Sequence, residues 1–147
     1  GRDPVALSAF LSRRLQDLEK LLDQHYTLIN GVYSGTWTPN LTIVANLDAI
    51  TAYPCQYSIV DDTITCSGRF DADPTTAGVA ASLGVSFPVS SNLANIGECA
   101  GAFGNGGIAV NSGEIRGDTA NDRASFFWFP ADAINRAYSF IFQYRVL

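Results

Sequence analysis

The 147-residue sequence has no methionine and a single histidine, His25. Its three cysteines, Cys55, Cys66 and Cys99, are odd in number and nowhere in CxxC spacing. Each scarcity removes a class. An odd count leaves one thiol out of any intrachain disulfide set, whereas small secreted scaffolds rely on even counts. The thiols therefore read as small buried hydrophobes of a protein folded in reducing surroundings. With one imidazole to join them a structural zinc site is not expected, and no metal or cofactor is assigned. Nine Lys+Arg against fourteen Asp+Glu give a net charge of -5, the wrong sign for binding nucleic acid through its phosphates. No apolar run approaches the roughly 20 residues of a membrane helix, so no membrane insertion is expected. No GxSxG elbow and no Ser/His/Asp set is present, and the chain reads as non-enzymatic. Residues 1–4 read as a leader or a remnant of processing.

What is present falls into two periods. Residues 5–29 contain neither Gly nor Pro, and Asn30-Gly31 supplies a helix stop. In heptad register Ser8, Leu15, Leu22 and Ile29 occupy a, while Leu11, Leu18 and His25 occupy d. Residues 5–30 thus read as a coiled-coil stem about 37 Å long. Leu7, Leu21 and Leu28 at g widen the apolar stripe beyond what two strands cover. A parallel homotrimer covers it better. The seam is assigned to Leu11, Leu15, Leu18, Leu22, His25 and Ile29, and three His25 rings would meet on its axis.

Beyond Gly31 the period is two. Tyr138, Phe140, Phe142, Tyr144 and Val146 alternate with Ser139, Gln143 and Arg145, and shorter runs behave alike. Turn formers such as Asp61-Asp62 and Asp73-Pro74 separate them. Eight strands are expected, near 36–44, 53–60, 63–71, 80–88, 97–103, 107–116, 123–130 and 137–146. The fold class is mainly β: an antiparallel β-sandwich or jelly-roll head over 31–147, preceded by the trimeric coiled coil. A hairpin around Asp61-Asp62 should set Val60 opposite Thr63 and Tyr57 opposite Cys66.

The order of motifs resembles a known family. Gly35-Thr-Trp-Thr-Pro-Asn-Leu-Thr42 opens the β region, followed by Gln56-Tyr-Ser-Ile-Val-Asp-Asp-Thr-Ile-Thr-Cys-Ser-Gly-Arg-Phe70 and Leu83-Gly-Val-Ser-Phe-Pro-Val89. Gly113-Glu-Ile-Arg-Gly-Asp118 and an aromatic strand close the chain. Residues 35–147 are similar to C-terminal receptor-binding head domains of tailed-bacteriophage tail fibres. Asp61-Asp62 departs from the Gly or Asn more usual in such hairpins. The resemblance implies a virion protein assembled in the host cytoplasm, joined to tail or fibre proteins upstream. It would bind a bacterial surface receptor, glycan or protein, without catalysis. Two other readings are a structural cap that trimerises a fibre and a secreted trimeric jelly-roll ligand.

Candidate receptor contacts are polar loop residues, because loops carry binding groups on a rigid scaffold. They are Asn92, Asn95, Asn105, Asn111, Asp118, Asn121 and Arg123, with Trp128 as a ring able to stack on a sugar. Asp71, Asp73 and Asp118 with Asn121 and Asp122 read as turns and not as a calcium loop. Arg116-Gly117-Asp118 is a chance tripeptide, and Gly104–Ala109 opens no nucleotide-binding helix.

Overall fold

A computed structural model describes residues 4–30, 32–107 and 111–147, without the side chains of residues 22–30 and 32. Among these residues one α-helix, α1 (Pro4–Asn30), leads into ten strands, with a short 3-10 turn at Ile96–Glu98. They are β1 (Val32–Trp37), β2 (Leu41–Ala45), β3 (Leu47–Ala52), β4 (Cys55–Val60) and β5 (Thr63–Pro74), then β6 (Ala81–Val85), β7 (Cys99–Gly104), β8 (Ser112–Asp118), β9 (Arg123–Trp128) and β10 (Arg136–Arg145). No described helix is long and apolar enough to cross a membrane.

The helix exists because its sequence offers it no break, and Pro4 occupies the first turn, where its missing N–H costs nothing. Its described apolar side chains stand largely open to solvent. Leu11, Leu15, Leu18 and Leu21 are 56–60% exposed, and Phe10 and Val5 are as open. Leu22, His25 and Ile29 lie outside the described side chains. The axial histidine layer falls there too.

The strands form one curled antiparallel sheet in the order β1-β4-β5-β10-β7-β8-β9-β6-β2, with β3 also paired to β5. A single residue marks the corner between two parts of this order. At Asn46 the chain leaves β6, its partner along β2, and joins β5 along β3. Asn46 adopts φ of 55°, a left-handed conformation that Asn tolerates better than most residues. Its side-chain amide donates to the carbonyls of Thr76 (2.9 Å) and Val79 (2.8 Å), and its Oδ1 accepts from the Thr76 N–H (2.9 Å). Asn46→Ala removes all three bonds and leaves a Cβ residue at positive φ, so urea denaturation should show a loss of about 2–4 kcal/mol. A loss below about 0.5 kcal/mol would remove Asn46 from the corner's support.

Strand alternation sorts the side chains. Phe70, Phe103, Phe126, Trp128, Tyr138, Phe140, Phe142 and Tyr144 fill the interior of the curl. The expected alternation of β10 is found: Tyr138, Phe140, Phe142 and Tyr144 are buried, while Ser139, Ile141, Gln143 and Arg145 face out. The Asp61-Asp62 hairpin has the expected register, with Val60 opposite Thr63 and Tyr57 opposite Cys66. Asp61 supplies its left-handed position at φ 54°. Two expectations are corrected. The single strand over 36–44 is two elements, interrupted at Thr38–Asn40 where Pro39 is buried and the Asn40 N–H binds Ser86 Oγ (2.8 Å). The strand β3 was not expected at all.

The three cysteines are free and buried. Burial raises all three thiol pKa values, and Cys99 is pushed up to about 12. A raised value in the fold means that stability is fully present below the ordinary thiol range and is lost as pH climbs above it. The urea midpoint should therefore hold from pH 6 to 8 and fall from about pH 9 upward. Cys66→Ala with Cys99→Ala should flatten that decline. An unchanged slope would assign it to the tyrosines instead, of which Tyr144 is raised by burial.

Candidate functional site

Strand register divides the loops between two ends of the curled sheet. At the first end the chain arrives from the helix, since Val32 of β1 pairs with Val60 beside the Asp61-Asp62 turn. The C-terminus returns there. Arg145 Nη2 donates to Asp62 Oδ2 at 2.8 Å, and the Val146 N–H to the Asp62 carbonyl at 2.8 Å. The Arg145 guanidinium holds the Asp62 carboxyl below its ordinary range.

Residues 89–98 are clamped to the same end. Tyr144 Oη donates to the Val89 carbonyl (2.6 Å), and Asp122 accepts from the backbone N–H groups of Ser91 (2.9 Å) and Leu93 (3.1 Å). Glu98 accepts from the Ala94 and Asn95 N–H groups, and these bonds lower its pKa. The loop between β8 and β9 is closed on itself, with Asp118 accepting from Asn121 Nδ2 (2.8 Å) and Arg123 Nε (2.8 Å). Burial pushes the Asp118 carboxyl up, but these bonds outweigh it and the group sits below the usual carboxylate range. Asn92, Asn95, Asp118, Asn121 and Arg123 thus all lie at the end where the helix joins, and the polar groups of Asp118 and Arg123 are already engaged with each other.

The opposite end is built from residues 46–48, 75–79, 105–107 and 129–136. The Gly78 N–H donates to the Pro130 carbonyl (2.8 Å), tying two of these loops together. Asn105 Nδ2 donates to the Ala137 carbonyl (2.6 Å), while its Oδ1 accepts from the Gly107 N–H (2.9 Å). Asp132 receives Arg136 through both Nε and Nη2, the latter at 2.6 Å, and this pairing lowers the carboxyl's pKa. Three apolar side chains stand open in this framework: Phe129 at 58%, Ile134 at 54% and Val79 at 49% exposure. The Phe129 ring is braced edge-on by Phe127 at 5.4 Å.

Of the residues assigned from sequence, only Asn105 belongs to this far end and reaches the surface. Asn111 and Trp128 are each 1% exposed and have no surface to offer a receptor. Asn111 Nδ2 instead donates to Tyr138 Oη (3.0 Å), and Trp128 packs edge-on against Phe70, Phe103 and Tyr138. The reason is parity: Phe126 and Trp128 point inward on β9, so Phe127 and then Phe129 point out. That same count was the available signal for Phe129. Nothing local marks Val79 or Ile134.

Among the described residues no three His, Cys, Asp or Glu side chains converge on a metal-sized point. Asp71, read from sequence as a turn, binds Arg69 and Tyr53, with Tyr53 Oη donating at 2.6 Å. Comparison with protein-family models, curated proteins and solved structures finds nothing that matches this chain.

Proposed function

We propose that this chain is a stem-borne attachment head: a homotrimer held by a parallel coiled coil, with jelly-roll-like heads that bind a repeated bacterial surface glycan without catalysis. A terminal position on a phage tail fibre, joined to fibre proteins upstream, is the setting in which such a module works. One observation carries the reading. Among the described side chains, an amphipathic helix exposes Leu11, Leu15, Leu18 and Leu21, and β1 begins two residues after its last residue. Each of those leucines contributes on the order of 1.5–3 kcal/mol when buried, and the heptad places them where further copies of the same helix bury them.

Self-association then gives the head its function. Three heads around one axis engage a repeated epitope together, so avidity exceeds single-site affinity by about 10² to 10⁴. The end remote from the stem is the one free to meet a surface, and it carries Phe129, Ile134 and Val79. Aromatic and aliphatic side chains held on a hydrogen-bonded frame supply contact area at small ordering cost.

Attachment to whole host cells, displaced by soluble surface polysaccharide, is the expected result. Phe129→Ala with Ile134→Ala should weaken it by on the order of tenfold or more, whereas Asn92→Ala with Asn121→Ala should leave it unchanged. No attachment across the host's relatives favours the fibre-cap reading. Equal loss in both double variants would return the contact to the stem-side loops.

A further inference from the structure

We infer that the outward face of β1, β4, β5, β10 and β7 is the surface through which neighbouring heads touch, a contact that rests on the self-association proposed above. Register lays two rows of side chains straight across these five strands. One row runs Ser34, Ser58, Thr65, Gln143 and Ala100. The next runs Thr36, Gln56, Ser67, Ile141 and Ala102. None of the ten is charged, in a chain with nine Lys+Arg and fourteen Asp+Glu. Charge resumes on the very next strand, where Arg116 and Glu114 continue the two rows. Depletion of charge over a contiguous outward patch is the compositional mark of an interface core.

The polar groups on this face are prepared for burial. Gln56 Nε2 donates to Ser67 Oγ (3.2 Å) and Gln143 Nε2 to Thr65 Oγ1 (3.0 Å), so both amides have a partner before anything covers them. Covering a paired amide costs far less than covering an unpaired one.

Placement and shape identify the occupant as a second copy. Ser34 lies four residues beyond the last residue of α1, within about 14 Å of chain, so the stem holds this face beside its own axis. β1 is a sheet edge, paired among the described residues with β4 alone, and a neighbour would shield it. A ring of three copies needs two different complementary patches on each subunit. This face has both. Ile141 projects from β10 with 55% exposure. A hollow of about 400 Å³ opens beside it across β5, β4 and β1, lined by residues that include Thr36, Gln56 and Ser67, the last paired directly with Ile141. Ile141 of one copy enters the hollow of the next.

The test uses the full chain, with light scattering to read assembly and maleimide labelling to read the face. Gln56→Cys, in the hollow, should react roughly tenfold or more slowly than Ala133→Cys in the far-end loop, because interface cores exclude solvent. The three native thiols are buried and add little signal. Adding Ile141→Asp should return Gln56→Cys to the Ala133→Cys rate while the stem keeps the chain assembled. Ala102→Cys replaces Gln56→Cys if the latter loses its fold by circular dichroism. Equal labelling rates in an assembled chain overturn the head contact and leave the proposed function standing. Protection that survives Ile141→Asp overturns the knob and hollow. A chain that scatters as one copy overturns the proposed function and this contact together.

Discussion

Leu11→Glu combined with Leu18→Glu should convert the protein from a species of three times the chain mass to one of 15.8 kDa at micromolar concentration. Both positions are d sites and more than half exposed in the single chain. The folded head should therefore keep its circular dichroism and thermal transition while assembly is lost. Placing six carboxylates around one axis costs several kcal/mol through desolvation and like-charge repulsion, on top of the six buried leucines removed. Cell attachment should drop by the avidity factor, about 10² to 10⁴. Analytical ultracentrifugation decides the first claim and a cell-binding titration the second. A wild-type chain already sedimenting at 15.8 kDa refutes the assembly outright.

Phe70→Ala should cost about 3–5 kcal/mol, the range for truncating a fully buried phenylalanine. Phe70 is 1% exposed and sits at the meeting point of the interior rings. It stacks on Tyr138 at 5.2 Å and meets Phe126 at 5.5 Å, Phe103 at 5.7 Å, and Trp128 and Phe140 both at 6.3 Å. These rings come from β5, β7, β9 and β10, so one truncation opens a void shared by both sides of the curl. The thermal midpoint of the head should fall by on the order of 15 °C. The stem should respond little, since α1 buries none of its described side chains in that core. A fall of less than about 5 °C would mean that the rings collapse into the void.

Much of the head was legible because period-two alternation reports a local fact, the face on which each side chain lands. The β10 alternation and the hairpin register follow from such counting and are found as expected. Three features were not legible, each for a non-local reason. β3 hides because Leu47-Asp-Ala-Ile-Thr-Ala52 is short and weakly patterned, and its existence depends on a backbone angle at Asn46. The burial of Asn111 and Trp128 depends on rings more than nine residues away in sequence. The separation of stem-side from far-end loops depends on strand order, which no single segment encodes. Polar loops were chosen as contacts on composition, and composition does not say which end a loop occupies.

The sealed cysteines bear on how such a molecule ages. Cys55, Cys66 and Cys99 stay protonated and enclosed at neutral pH, so dissolved oxygen and peroxide meet no thiolate while the head is folded. Heating reverses this, releasing three thiols per chain at once, and in the proposed trimer it releases them among neighbours on one stem. Cross-linking then competes with refolding, so a head that resists oxidation while folded is expected to unfold irreversibly once heated past its melting point in air.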